Sequence, residues 1–213
     1  ALNSSADEFS PVLDGDGSSV FFTSTRSAEH RTTPLSREFG FGEAVFLSEK
    51  RAESVTLDLD QPDAWSTPLV YRPEIFGRVN TGTLTFDVEG EMYLSSGTYL
   101  DGGTGGADLF RVTSIEGAMS APQLVENVNS PWWEAHPAVS PDGKWLVFAS
   151  DRIDAAPSVD QRDRRDPQLW ISERREDRSW SAPILLPEPV NSGTAEMSPH
   201  FSPCLLYTSA AAD

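Results

Sequence analysis

A turn-and-strand unit recurs along this chain, and a recurring unit constrains a fold more tightly than any single segment can. Its strongest copy is Glu134 to Arg152, EAHPAVSPDGKWLVFASDR. Pro141 presets a turn, Asp142 can bond its own backbone, and Gly143 accepts a left-handed conformation without steric penalty. Trp145-Leu146-Val147-Phe148 follows, apolar at successive positions, so a strand here is covered on both faces. Glu8 to Arg26 carries the same pattern, and Glu196-Met197-Ser198-Pro199-His200-Phe201-Ser202-Pro203 begins it again. Pro11 and Pro137 are 126 residues apart, and Pro137 and Pro199 are 62 apart, which leaves room for one copy between the first two. Thr81 to Gly97 is that weaker copy, with Leu84-Thr85-Phe86 and Met92-Tyr93-Leu94-Ser95-Ser96 flanking Asp87-Val88-Glu89-Gly90.

Other markers keep step. Phe46, Phe110 and Trp170 sit in the third strand of each unit. Trp65-Ser66-Thr67-Pro68, Met119-Ser120-Ala121-Pro122 and Trp180-Ser181-Ala182-Pro183 open the fourth. Leu2-Asn3-Ser4, Val79-Asn80-Thr81, Val128-Asn129-Ser130 and Val190-Asn191-Ser192 introduce the units, where Asn and Ser side chains suit a turn bonded to local backbone. Strands are expected at 10–13, 20–24, 44–48 and 69–71; at 84–86, 92–96, 108–112 and 123–125; and at 137–140, 146–150, 168–172 and 183–186. No stretch shows a 3.6-residue period, so no helix is expected. Four-stranded antiparallel units apolar on both faces bury themselves by stacking, and radial stacking leaves no greasy ends. The fold class is therefore read as all-β, a β-propeller. Its blades are placed at 2–71, 79–126 and 128–187, with the first strand of a fourth at 190–203.

The formal charge is −17, from 16 Lys and Arg against 33 Asp and Glu. Such a surface repels phosphate backbones and anionic lipid, so neither nucleic acid nor membrane surface is expected as a partner. No apolar run approaches the ~20 residues of a membrane span. The chain begins at Ala1 without Met and reads as a fragment or mature product. Its one cysteine, Cys204, lies where the repeat breaks off. The segment Cys204 to Asp213 resembles a translated sequencing adaptor, with Ala210 departing from the usual version. Residues 204–213 are therefore read as a non-native tail.

Ser140-Pro141-Asp142-Gly143-Lys144, followed by Phe148 and Ser150-Asp151-Arg152, resembles the repeat of TolB-type propellers. Trp180-Ser181-Ala182-Pro183 and the Gly-rich link Gly102 to Phe110 are similar to a subgroup from the bacterial cell envelope, some members of which carry a peptidoglycan-binding OmpA-like domain. The resemblance runs from Leu2 to Pro203. It departs at Asp14-Gly15-Asp16-Gly17 and Asp87-Val88-Glu89-Gly90, which replace Pro-Asp-Gly, and in the second unit, which lacks Glu-x-x-Pro. It implies a periplasmic or envelope location and a non-enzymatic scaffold that binds envelope proteins or peptides. Two alternatives remain open: a propeller gating a serine peptidase domain, and a carbohydrate-binding or glycan-cleaving propeller.

The candidate binding residues form the rim of a channel mouth. Glu8, Glu134 and Glu196 occupy one place in three units, either as an acidic rim for a cation or basic peptide or as acceptors of structural hydrogen bonds. His136 and His200 lie near the same rim, but His136 aligns with Ser10 and Ser198, so they are not a repeated ligand pair. Trp132 and Trp133 offer stacking faces for a sugar or peptide, or else seal neighbouring blades. Arg26 and Arg152 end second strands and suit ion pairs or backbone caps between blades. Residues 102–106 lack the Lys-Ser/Thr and helix of a phosphate loop. No Gly-x-Ser-x-Gly occurs, and no spaced His/Cys/Asp set suggests zinc. No catalytic residue, cofactor or metal is expected.

Overall fold

The computed structural model describes residues 2–26, 43–51, 64–71, 81–97, 103–115, 118–152, 166–192 and 194–202. The polar loop with His30 and Arg31, the Val79-Asn80 pair, Gly102, most of the charged loop after Arg152, and the segment from Pro203 onward lie outside them. The described residues contain no helix.

Fourteen strands build three four-stranded antiparallel sheets and one small hairpin. Sheet one runs in sequence order: β1 (Glu8–Leu13), β2 (Ser19–Ser24), β3 (Ala44–Glu49) and β4 (Leu69–Val70). Sheet two holds β5 (Thr81–Phe86), β6 (Met92–Gly97), β7 (Ala107–Val112) and β10 (Gln123–Leu124). Between its last two strands lies the hairpin β8 (Ser114–Ile115) and β9 (Ala118–Met119), which the repeat did not announce. Sheet three again runs in order: β11 (Glu134–Val139), β12 (Trp145–Ser150), β13 (Gln168–Glu173) and β14 (Ile184–Leu185). The chain divides into two compact units, Ala1–Leu84 and Thr85–Asp213.

The turns between first and second strands share one geometry despite different sequences. Gly17, Gly90 and Gly143 all have positive φ, near 72°, 80° and 72°. Each donates its N–H to the carbonyl three residues earlier, of Asp14, Asp87 and Ser140. The Pro of Pro-Asp-Gly is thus dispensable, whereas glycine at the last turn position is shared by all three.

Proline acts elsewhere. Pairing of β1 with β2 slips between Phe9 and Val12, and that of β11 with β12 slips between Ala135 and Ala138. Each slip brackets a Ser10-Pro11 or His136-Pro137 pair. Proline cannot donate to a ladder, and a bulge is where a strand tolerates it. The residue before each proline is left-handed, Ser10 at φ 51° and His136 at 54°, and Ser198 before Pro199 matches them at 56°. Thr83 of β5 has φ 33° with no proline after it.

The expectation of strands covered on both faces holds for β2, β6 and β12, which are buried over five consecutive residues each. In the second unit, β11 packs on β6 and β7, so sheets two and three meet. Tyr93, Leu109, Val125, Val128, Val139, Leu146, Phe148, Trp170 and Trp180 form the core between them. A polar clamp closes its edge. Arg174, just past β13, places Nη1 3.0 Å from Asp87 and Nη2 3.3 Å from Glu91, both in the β5–β6 turn. Its guanidinium lies 5.4 Å from the Trp180 ring centre, and Tyr93 meets Trp180 edge-on at 5.9 Å. Burial, with Glu91 and Asp87 adding to it against the opposing charge of Arg174, pushes the Tyr93 hydroxyl up to about 12.

The Trp-Ser-x-Pro marker has a local task. Ser66 and Ser181 each accept from the last N–H of the third strand, at Glu49 and Glu173, while Ser48 and Ser172 donate back to their carbonyls. Ser120 accepts likewise from Thr113. The serine thus ends one strand and starts the next, which is why two-residue fourth strands are held at all.

Candidate binding rim

Residues Ser130 to Glu134 show how the candidate carboxylates are held. Glu134, the first residue of β11, is fully buried. It accepts the Ser130 N–H at 2.9 Å, the Ser130 hydroxyl at 2.5 Å and the Ser150 hydroxyl at 2.8 Å. Arg152 Nη2 lies 3.1 Å from the same carboxylate. The guanidinium also donates to the Val128 carbonyl and the Ser150 hydroxyl, and it lies 5.0 Å from the Phe148 ring centre and 5.3 Å from that of Trp170. A buried carboxylate is costly without partners, and here every neighbour is a donor.

The first unit repeats this node atom for atom. Glu8 accepts the Ser4 N–H at 3.1 Å, the Ser4 hydroxyl at 2.5 Å and the Ser24 hydroxyl at 3.1 Å, with Arg26 Nη2 at 3.0 Å. Arg26 donates to the Leu2 carbonyl and covers Phe22 and Phe46. Partial burial raises the Glu8 carboxyl, but the Ser4 and Ser24 hydrogen bonds and the Arg26 charge outweigh it and bring it down to about 2. These ion pairs join the first two strands of one sheet, rather than linking neighbouring sheets, because Glu8 stands opposite Ser24 and Glu134 opposite Ser150 in register.

Glu196 has half a node. Ser192 donates to it through its N–H at 2.9 Å and through its hydroxyl. Its Oε2 is buried with no hydrogen-bond partner among the described residues. The segment 194–202 was expected to be a strand, but the described residues there form none, with a single bridge residue at Phe201. A strand exists only through its ladder, and no described strand lies beside this one.

The asparagine of the Val-Asn-Ser motif works at a distance rather than locally. Asn129 accepts the Leu109 N–H at 2.7 Å and donates to the Leu109 carbonyl at 2.9 Å. Asn191 does the same to Leu169, at 2.8 and 3.0 Å. Each thus pairs with a third strand as a neighbouring backbone would, and the serine after it caps the next glutamate. The Gly-rich link serves the same junction. Thr104 and Gly105 donate to buried Asp108, and Gly106 donates to the Trp132 carbonyl at 2.8 Å. A Cβ on Gly105 would stand 1.9 Å from that carbonyl oxygen, so only glycine fits.

Around this junction the remaining candidates divide. Trp132 is 37 % exposed. Trp133 packs with Phe201 and Val190 on Val147, Ala149 and Leu169. His136 lies 5.8 Å from the Trp133 ring, and its Nδ1 is 3.1 Å from the Ser198 hydroxyl. Burial lowers the pKa of His136. His200 is exposed. The structure therefore brings Trp133, His136 and Ser198 together and turns Glu134 inward. Among the described residues, no group of three or more His, Cys, Asp or Glu is placed to hold a metal ion, and no helix is long and apolar enough to cross a membrane. Sequence reasoning missed the Arg174 clamp, whose only signal was the acidic Asp-Val-Glu-Gly turn. It also missed the left-handed residues, whose signal was x-Pro inside a strand. Comparison with protein-family models finds no match to this chain, and comparison with curated proteins finds none either.

Proposed function

We propose that the three sheets are blades of a β-propeller, and that its work is non-enzymatic: a rigid scaffold that presents loops and a channel mouth to a protein or peptide partner in the bacterial envelope. The observation that carries this reading is the repeated Ser–Glu–Ser–Arg node. Glu8 and Glu134 are committed to internal bonds that lock the first two strands of their sheets. Such nodes supply rigidity at identical places in tandem units, as repeat architectures require. The stacking of sheet three on sheet two through β11, β6 and β7 is the contact that radial blades make. The TolB-type resemblance supplies the location and the class of partner. An experimental structure of the chain tests the blade reading, since sheets one, two and three must be related by successive rotations about one axis. Sheets related by translation, or merged into one continuous sheet, would overturn it.

A second reading has one observation in its favour. Trp132 keeps a partly open indole beside the junction, a face on which a sugar ring can stack. Glycan-array binding lost in Trp132→Ala but kept in Trp133→Ala would favour a carbohydrate-binding propeller. Unchanged binding in both would remove it.

A further inference from the structure

We propose that segment 194–202 is an acceptor for an added β-strand, supplied by a partner protein and carrying the pattern Phe-x-Ser-x-Arg. The inference requires the repeated node but not the closure of a ring, so it stands or falls separately from the propeller reading.

Three observations define the acceptor. First, the segment adopts the conformation of a first strand that has a partner. Ser198 takes the same left-handed φ as Ser10 and His136, each just before proline. Second, it is docked where a first strand belongs. Glu196 donates its N–H to the Pro167 carbonyl at 2.8 Å, Gln168 reaches the Thr194 carbonyl, and Phe201 packs with Trp133 and Val190. Third, its glutamate is half satisfied. In both completed nodes the remaining donors come from the antiparallel second strand: Ser24 and Arg26 in Phe22-Thr23-Ser24-Thr25-Arg26, Ser150 and Arg152 in Phe148-Ala149-Ser150-Asp151-Arg152. Glu196 has its serine cap, yet its Oε2 is buried and lacks a partner among the described residues.

Strand addition supplies both missing components. Main-chain hydrogen bonds along the segment provide affinity, and side chains at alternate positions provide selectivity. The hydroxyl and guanidinium of Ser-x-Arg would meet the orphaned oxygen, and a charge-assisted bond there is stronger than a neutral one. The aromatic two residues before the serine would lie under the arginine, as Phe22 and Phe148 do. A strand with acidic residues in place of the arginine would put like charges together and be rejected.

The test uses the full chain and a fluorescent synthetic peptide with the sequence of residues 145–152, WLVFASDR. Saturable binding is expected, with slowed amide exchange at residues 197–201. Replacing the peptide's arginine by glutamine should weaken binding at least about tenfold, and E196Q in the protein should weaken the parent peptide similarly. The peptide-side change leaves the protein untouched, so the comparison holds even if E196Q folds poorly. Equal affinity of the two peptides, no binding of either, or protection confined to residues 134–139 would overturn the proposal; the last would mean that the peptide had displaced β12.

Discussion

Arg152→Met is the sharpest probe of the node. The substitution keeps an unbranched stem of similar reach but removes the guanidinium. Lost with it are the 3.1 Å ion pair to Glu134, the bonds to Val128 and Ser150, and the contacts with Phe148 and Trp170. Left behind is a carboxylate with 0 % exposure, held only by the Ser130 N–H and two hydroxyls. Stranding one member of a buried pair costs about 3–5 kcal/mol, of which the two ring contacts account for about 0.5–1 kcal/mol each. Urea unfolding followed by tryptophan fluorescence reads the loss. The isosteric Glu134→Gln removes the stranded charge, so the double variant should be less damaged than the two single costs together, with a coupling of about 1–3 kcal/mol. Arg26→Met gives an internal comparison. The Arg26 and Glu8 side chains are 16 % and 13 % exposed, so water takes up part of the loss and about 1–2 kcal/mol is expected. If Arg152→Met does not fold, Arg152→Lys, which keeps the charge but not the planar fork, should fall between wild type and the methionine variant. A cost for Arg152→Met below about 1 kcal/mol, or a double variant additive within about 0.5 kcal/mol, would refute the reasoning.

Three further outcomes follow from the same geometry. The Glu8 carboxyl is depressed to about 2, so its contribution is complete above its ordinary value of 4.5 and disappears as pH falls toward 2; urea midpoints between pH 2 and 6 should show this acid loss in the wild type and a weaker one in Glu8→Gln. Asn191→Ala leaves the Leu169 N–H and C=O without their side-chain partner in a buried setting, costing about 2–3 kcal/mol and speeding amide exchange at Leu169. Gly105→Ala drives a methyl against the Trp132 carbonyl and should cost about 2 kcal/mol or more, whereas Gly15→Ala, with nothing within 4 Å, should stay within about 0.5 kcal/mol of wild type; thermal melts of both compare them directly.

The repeat made most strand positions legible. Thirteen of the fourteen strands' neighbourhoods need not be argued separately: β2, β3, β6, β7, β12 and β13 lie within a residue of their expected ends, because apolar runs and turn glycines act through near neighbours. First strands are longer than expected at their starts, since β1 and β11 begin at the glutamates themselves. The proline that marks the unit was read as part of the strand and proves to sit in its bulge. The glutamates and tryptophans were legible as positions but not as roles, for a carboxylate at a strand start looks the same whether it faces water or a buried arginine.

What the amino-acid order determined alone is the alphabet of the fold: which segments extend, where glycine reverses them, and how often the pattern returns. Only the tertiary structure decided what the polar residues bind. Asn129 finds Leu109 across 20 residues and Arg174 finds Asp87 across 87, and no local rule foretells either. Turn chemistry and burial period act over a few bonds, whereas the partner of a buried polar group is whichever distant segment the packing brings alongside.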